Sequence, residues 1–471
     1  MDRIAVAKTV DRVWDESVLP SLSELVEIPA VSPAFDADWV ESGHLDAAVE
    51  HVRRWIAERG VEGATVEVVR LPERTPLLLV DVPATEGAAE GTVLLYGHLD
   101  KQPPMEGWSE GLGPWTPVIR GDRLYGRGAA DDGYAGYAAI TAIEAVRAHG
   151  GAHARSVVLL ETGEESGSPD LPAYLEHLSE RLGDVSLVVC LDSGAGDYER
   201  MWLTTSLRGM VSLEVTVQVL ESGLHSGIAS GIVPSSFRVL RQLLDRLEDS
   251  ATGEIPVSEL NVEIPENRIA ETRAAIEAVP GLVRNSVPWL EGLRPVTEDE
   301  VELALNNSWR PTLSIIGAAG LPELPDAGNV LRPFTTALLS FRLPPTADPD
   351  AALRAVQEKL TTDVPYGAKV IIGRTETGLG WNAPDLAPWL SDALDEAGKE
   401  IFGAEWLTMG LGGSIPFMGL LHDAYPAAQF VVTGALGPDS NAHVPDESLN
   451  FPFAAKITSA IAYVLDAHAT R

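Results

Sequence analysis

The sequence predicts an α/β protein whose main domain carries a mixed, mostly parallel sheet, with a smaller α+β domain inserted into it. Three observations point there. Strand-like apolar runs ("TVEVVR", "LLLVDVP", "TVLLYGH", "SVVLLET" and "SLVVCLD") follow one another over the first 192 residues, with the helical segment "YAGYAAITAIEAVRAHG" between two of them. Several of these runs are continuously apolar, as strands covered on both faces are. The pattern changes near residue 206, where "MVSLEVTVQVL" alternates with period two, and it reverts after "WNAPD".

In chain order, residues 4–28 carry helix-spaced apolar positions and stop at Pro29, and residues 45–59 do the same and stop at Gly60. The strand runs come next. Beyond residue 206 the alternating strand has one wet face. A helix, "PSSFRVLRQLLDRLED", follows, and then a long polar stretch to about residue 310. "TLSIIGAAG" and "TTALLSFRLPP" read as strands, residues 349–361 as a helix and "AKVIIGRT" as a strand. The helical "LAPWLSDALDEAGKEIFG" and the apolar "AAQFVVTGAL" return to the first pattern. The expected division is residues 1–205 and 384–471 as one domain and 206–383 as the insertion.

The composition excludes some functions. With 34 basic and 69 acidic residues the net charge is -35, which repels nucleic acid and anionic membranes. The acidic residues are spread along the chain, as on a solvated surface. The one cysteine, Cys190 within "VSLVVCLDSG", allows no intrachain disulfide and no thiolate cluster, and its apolar neighbours favour a small core residue. The start, "MDRIAVAKTVDRVWDESVLP", lacks a signal-peptide pattern, and no apolar run approaches the roughly 20 residues needed to span a bilayer. A soluble cytoplasmic protein is expected.

Strands of an open α/β sheet aim their carboxyl ends at a common edge, where ligands bind. Four segments end in metal-capable groups after an apolar run: "VLLYGHLD" in His98 and Asp100, "VVLLETGEES" in Glu164 and Glu165, "LVVCLDSG" in Asp192, and "FVVTGALGPDSNAHVPDE" in His443. A Gly-rich turn, "LYGRGAADDG", adds Asp131 and Asp132. Singly, a histidine after a strand is usually structural, and aspartate in such a turn is usually a turn former. Five such sites on one edge are harder to explain as structure alone. Nitrogen and oxygen donors without thiolate suit Zn²⁺, Mn²⁺ or Co²⁺, and imidazole favours zinc. Two histidines and three carboxylates can hold two ions if one carboxylate bridges. Two such ions activate water and polarise a carbonyl. One more carboxylate must move the proton to the leaving amine, which explains two adjacent glutamates: one ligates and the other stays free as general base.

In order and wording these segments resemble the motifs of the dinuclear zinc peptidases that include carnosinases, bacterial dipeptidases, aminoacylase, acetylornithine deacetylase and succinyl-diaminopimelate desuccinylase. The match runs from "LSELVEIPAVS" to "NAHVPDE", nearly the whole chain. "HLDKQP" is similar to the family's His-x-Asp-x-x-Pro, "GRGAADDG" to its Gly-Arg-Gly-x-x-Asp segment and "ETGEESGS" to its glutamate pair. The resemblance implies that His98, Asp131, Glu165, Asp192 and His443 are ligands. Asp131 would bridge, His98 and Asp192 would complete one ion, and Glu165 and His443 the other. Glu164 would be the general base, and Asp100 would orient the His98 imidazole. The Asp131–Asp132 peptide would be cis.

In the insertion, "SLRGMVSLEVTVQVLESGLHSG" looks like the family's lid segment, whose histidine stabilises the oxyanion across a dimer interface. His225 is the matching residue, so a homodimer with His225 acting in trans is implied. "GNVLRPFTTALLSFRLPP" resembles the stretch whose arginine binds the substrate carboxylate, here Arg342, with Asn329 as a further contact. "GGSIPFM" matches the dipeptidase branch and puts Ser414 near that carboxylate. Departures bear on substrate. Gly410 and Leu411 stand where the branch carries Arg-Glu, Gly133 and Tyr134 where it carries Lys-Gly, and "TETGLGW" lacks the histidine often found ahead of the tryptophan. The implied function is metal-dependent hydrolysis of dipeptides or similar small substrates with a free carboxylate. The alternatives are an N-acyl amino acid deacylase and, in another class, a non-catalytic binding protein on this fold.

Overall fold

A computed structural model of the chain describes residues 1–413 and 415–471. They form two compact units, Met1–Thr205 with Ala383–Met409 and Leu420–Arg471, and Ser206–Asn382 with Gly410–Gly419.

The first unit is built on six strands in the spatial order Thr65–Val69, Leu77–Val82, Arg155–Glu161, Thr92–His98, Val185–Cys190 and Gln429–Val432. The last four run parallel and the first two antiparallel to their neighbours, so the sheet is mixed and mostly parallel, as the sequence predicts. The apolar runs are the reason: Thr92–His98 is buried along its whole length and Arg155–Glu161 at all but its first residue. The helix Ala135–Ala148 packs closely on these strands because the contact is made by small residues. A Cβ on Gly97 would lie 2.6 Å from that of Ala135, and one on Gly136 would lie 2.6 Å from Leu160 Cδ1. The helices Arg3–Val13 and Phe451–Thr470 pack on Ala135–Ala148 in turn, and Trp14 Nε1 donates to Thr458 Oγ1 at 3.0 Å. Each large side chain buried here contributes about 1.5–3 kcal/mol. Cys190 is a buried free thiol.

The second unit holds a four-stranded antiparallel sheet in the order Thr312–Ala319, Phe334–Leu343, Gly209–Gln218 and Lys369–Gly378. The period-two strand buries Val211, Leu213, Val215 and Val217 against the helices Ser236–Leu244 and Pro349–Thr361. Asp348 caps the second of these helices by accepting from the N–H groups of Asp350 and Ala351. The polar stretch before residue 310 contains two helices, Glu266–Ala278 and Glu300–Ser308. They escape a periodicity reading because the first buries only Arg268 and Ala275, leaving no apolar stripe. Among the described residues no helix is long and apolar enough to cross a membrane.

Candidate metal centre

The metal-capable residues of the first unit gather at one end of its parallel strands. His98 is the last residue of its strand, paired in register with Glu161. Asp192 lies two residues beyond Val185–Cys190. Glu164 and Glu165 open a single 3₁₀ turn just after Arg155–Glu161. Asp131 sits in the turn before the helix Ala135–Ala148, and its peptide bond to Asp132 is cis. His443 arrives on the loop after Gln429–Val432. There Asp439, Asn441, His443 and Asp446 all take positive φ, a conformation uncommon outside glycine that Asn, Asp and His adopt more readily than other residues.

Asp131 stands between the two imidazoles. Its Oδ1 lies 3.2 Å from His98 Nε2 and its Oδ2 lies 2.9 Å from His443 Nε2. On the His98 side, Asp192 Oδ2 is 3.8 Å from the same Nε2. On the His443 side, Glu165 Oε2 is 3.5 Å from its Nε2. Ligand-capable atoms of His98, Asp131 and Glu165 fall within 4.8 Å of one another, as do those of His98, Glu164 and Asp192. His98 Nδ1 is 3.0 Å from the Asp100 carbonyl oxygen and donates to it, which turns Nε2 toward the carboxylates. The Asp100 carboxylate is further from the ring, at 3.4 Å, and accepts from the main-chain N–H groups of Glu164 and Glu165 at 3.2 and 3.0 Å. Asp100 thus ties the His98 loop to the glutamate turn.

The charges show what the cluster lacks. Burial, then repulsion from Asp131, pushes Asp192 up to about 7. Burial followed by repulsion from Asp192 drives Glu164 well above the usual carboxylate range, and burial followed by repulsion from Asp131 does the same to Glu165. Asp131 moves the other way, because contacts with His443 and His98 overcome its burial penalty. Burial alone would lower His98, yet its hydrogen bonds to Asp100 and Asp131 hold it well above its ordinary value. At an effective dielectric of 20, two like charges 4 Å apart cost about 4 kcal/mol. Buried oxygen and imidazole donors short of positive charge fit divalent cations of the zinc, manganese or cobalt type.

Several supporting residues carry no signal of their own in the sequence. Glu447, fully buried, accepts from Arg127 Nη1 at 2.7 Å and from the N–H groups of Gly128, Ala130 and Asp131. It fixes the turn that holds Asp131 from the same loop that carries His443. Arg127 and Glu447 lie inside the quoted "GRGAADDG" and "NAHVPDE", so the motifs contain them without announcing their pairing. Lys101 is also buried. Its Nζ donates to the carbonyls of Leu25, Val26 and Ile28 at 2.7, 3.3 and 2.8 Å, closing the end of the helix Leu19–Val26, and burial pulls it down to about 7. Gln102 Nε2 donates to Glu165 Oε2 at 2.5 Å.

The second unit holds the remaining predicted residues. His225 is exposed on a two-residue strand, Leu224–His225, paired with Val330–Leu331. Its Nδ1 accepts from the Gly227 N–H at 3.0 Å, so the neutral ring keeps its proton on Nε2. Asn329 is exposed beside it, its carbonyl accepting from the Ser226 N–H at 2.8 Å. Arg342 is half-buried in the strand Phe334–Leu343, and burial lowers its pKa. Arg208 reaches toward it, donating to the Gly412 carbonyl at 3.0 Å and to Thr312 Oγ1 at 3.3 Å, and Thr312 is the register partner of Arg342. Ser414 lies outside the described residues.

Comparison with known proteins agrees with the motif resemblance. The chain is 28% identical over 443 residues to a cysteinylglycine-S-conjugate dipeptidase of Corynebacterium striatum, covering 92% of each chain. It is 27% identical over 392 residues to the human beta-Ala-His dipeptidase, covering 80% of this chain and 74% of that one. The crystal structure of human carnosine dipeptidase 1 superposes with a TM-score of 0.78 at 24% identity, covering 100% of this chain and 99% of that one, which shows a shared fold. A model of the peptidase family M20/M25/M40 matches residues 94–467, and the chain accordingly belongs to that family and is an enzyme of the metal-dependent peptidase class.

Proposed function

We propose that the chain hydrolyses the amide bond of dipeptides or similar small substrates with a free carboxylate, using two divalent cations, zinc foremost. His98, Asp131 and Asp192 would hold one cation, and His443, Asp131 and Glu165 the other. The observation that carries this reading is the placement of Asp131, one carboxylate oxygen toward each imidazole. When bound, such cations supply Lewis acidity and acidify water. Glu164, beside the ligand Glu165 and kept ionised once cations offset its carboxylate neighbours, would be the general base that takes the proton from water and gives it to the leaving amine. Asp100 fixes that base through the Glu164 and Glu165 N–H groups.

In the same reading residues 206–383 are a lid and dimerisation domain. Arg342 binds the substrate carboxylate, with Asn329 and Ser414 as neighbours of the substrate. A guanidinium fork suits a carboxylate. The Nε2–H of His225 stabilises the oxyanion in the partner subunit's site. Exposed apolar residues in its own loop, Ile228 and Ile232, support a homodimer in which that surface is covered. A cytoplasmic setting belongs to the same reading; with one cysteine, the chain carries none of the intrachain disulfides common in small secreted domains.

Leu411 favours a second reading, an N-acyl amino acid deacylase. It puts an apolar side chain where the dipeptidase branch carries a carboxylate able to pair with a free amine. A panel of dipeptides and N-acyl amino acids on metal-reconstituted protein, with metal content measured on the same sample, separates the two. Dipeptidase activity requires the free amine, deacylase activity does not, and blocking the C-terminus abolishes both. Hydrolysis that is indifferent to chelator refutes the metal mechanism.

A further inference from the structure

Tyr134 follows Asp131 by three residues and is fully buried. Its hydroxyl donates to the Leu191 carbonyl at 2.6 Å and accepts from the Ala435 N–H at 3.0 Å. Leu191 immediately precedes Asp192, and Ala435 opens the loop that leads to His443. One phenol oxygen therefore joins three segments: the Asp131 turn, the Asp192 loop and the loop carrying His443.

The ring is enclosed on every side. The ring lies 6.4 Å from that of Trp14, which is itself fixed to Thr458. Gly133 ties the preceding turn down, since its N–H reaches the Gly128 carbonyl at 3.1 Å and a Cβ on it would lie 2.4 Å from that oxygen. The two loops already run close together. The Thr433 N–H donates to Cys190 O, the Leu436 N–H to Ser193 O and the Ala195 N–H to Leu436 O, and a Cβ on Gly434 would lie 2.4 Å from Leu191 O. The phenol is the group between them that belongs to neither. Without it, a buried carbonyl and a buried N–H lose their partner, and such orphaned groups are costly enough to move a loop. The loop carrying Asp192 is the shorter of the two from tether to ligand: one residue, against eight from Ala435 to His443.

We propose that Tyr134 is a positioning residue of the metal centre, its hydroxyl setting Asp192 against His98 and so tuning the cation held on that side. This rests on the reading of Asp192 as a metal ligand. It also gives a task to a residue at which the chain departs from the family pattern, where glycine is usual.

The test is Tyr134→Phe in the full-length protein, which removes one oxygen atom. Stepwise Zn²⁺ and Co²⁺ affinities are measured by chelator competition, the Co²⁺ ligand-field spectrum is recorded at each equivalent, and amide hydrogen exchange is followed at Ala435. The expected result is a loss of about 10-fold or more in one binding step with the other changed less than about 2-fold, a matching change in one Co²⁺ spectrum, and faster exchange at Ala435. On an active substrate kcat falls by a similar factor while KM holds, because the fault lies in the centre and not in substrate capture. Replacement of Tyr134 by 3-fluorotyrosine keeps the ring and hydroxyl and restores both binding steps. It also decides the matter if the phenylalanine variant does not fold, because its stronger donor shifts one Co²⁺ spectrum only if the hydroxyl sets Asp192. If both binding steps and the spectra match wild type in Tyr134→Phe, whatever its melting temperature, the hydroxyl is merely structural and the proposal is wrong. A wild-type protein that binds no Zn²⁺ overturns the metal reading itself, and this proposal with it.

Discussion

The two units hold most of their functional candidates in opposite ways. In the first, His98 and Asp192 at strand ends and Asp131 in the turn before a helix are nearly sealed from water and each is held by a neighbour, while His443 on its loop is exposed. In the second, His225 on a two-residue ribbon and Asn329 just before the ribbon's partner strand stand in solvent, and only Arg342 belongs to a long strand. A cation needs donors fixed before it arrives, and burial on a parallel sheet supplies that. Recognition of a small substrate needs groups that can meet it, and an exposed ribbon supplies those. The difference teaches that the chemistry of the centre can be argued within one unit, whereas the roles of His225 and Asn329 depend on what covers them.

Breaking the first half of this contrast takes one side chain. Glu164→Gln should lower kcat by about 10²–10⁴-fold while metal content stays at the wild-type level, as measured by hydrolysis and elemental analysis of one preparation. Retained activity would show that another group moves the proton. The second half is sharpened by mixing two inactive variants, Glu164→Gln and His225→Ala. If His225 works in trans, half of the re-equilibrated dimers are mixed and each has one complete site, so activity returns to about a quarter of wild type. No recovery, once subunit exchange is demonstrated, would place His225 in its own chain's site or outside catalysis.

Asp100→Ala should cost about 10–100-fold in metal affinity, because it frees the N–H groups of Glu164 and Glu165 together. Chelator competition measures this, and unchanged affinity would mean that the turn holds itself. The smallest effect concerns pH. Asp192 has a folded pKa of about 7, above its unfolded value, so the stability it contributes is present below about 4 and is lost as pH rises through about 7. Glu164 and Glu165 are raised as well and act in the same direction. In chelator, the melting temperature should therefore fall as pH rises across neutrality, and added Zn²⁺ should remove that slope. A flat profile in chelator would show the carboxylates to be better solvated than their burial implies.

The sheet was legible because burial on both faces writes itself into the sequence as uninterrupted runs such as "VLLYGH", and the inserted sheet because one wet face writes period two. Strand order was not, nor which strands run antiparallel, since nothing local says that Leu77–Val82 should pair antiparallel with Arg155–Glu161. The helix Glu266–Ala278 was hidden by its polar faces, and the buried Phe451–Thr470 by a pattern apolar almost all round. At the centre, residue types that ligate metals stand out at strand ends. Glu447, Lys101 and Tyr134 do not, because their work is done on main-chain groups that distant parts of the chain bring to them. A carboxylate, an ammonium and a phenol buried for that purpose look, in one dimension, like any others.

Synthesis runs from one end, and the centre is not made all at once. His98, Asp131, Glu165 and Asp192 leave the ribosome well before His443, which lies near the end of the chain. Until the C-terminal stretch docks, Asp131 has an imidazole on one side only, and Glu447 is not there to fix its turn. On the proposed reading, a chain in which that stretch has not yet docked could hold its first ion but would have no closed seat for the second, so full loading reports that the stretch carrying His443 and Glu447 is in place.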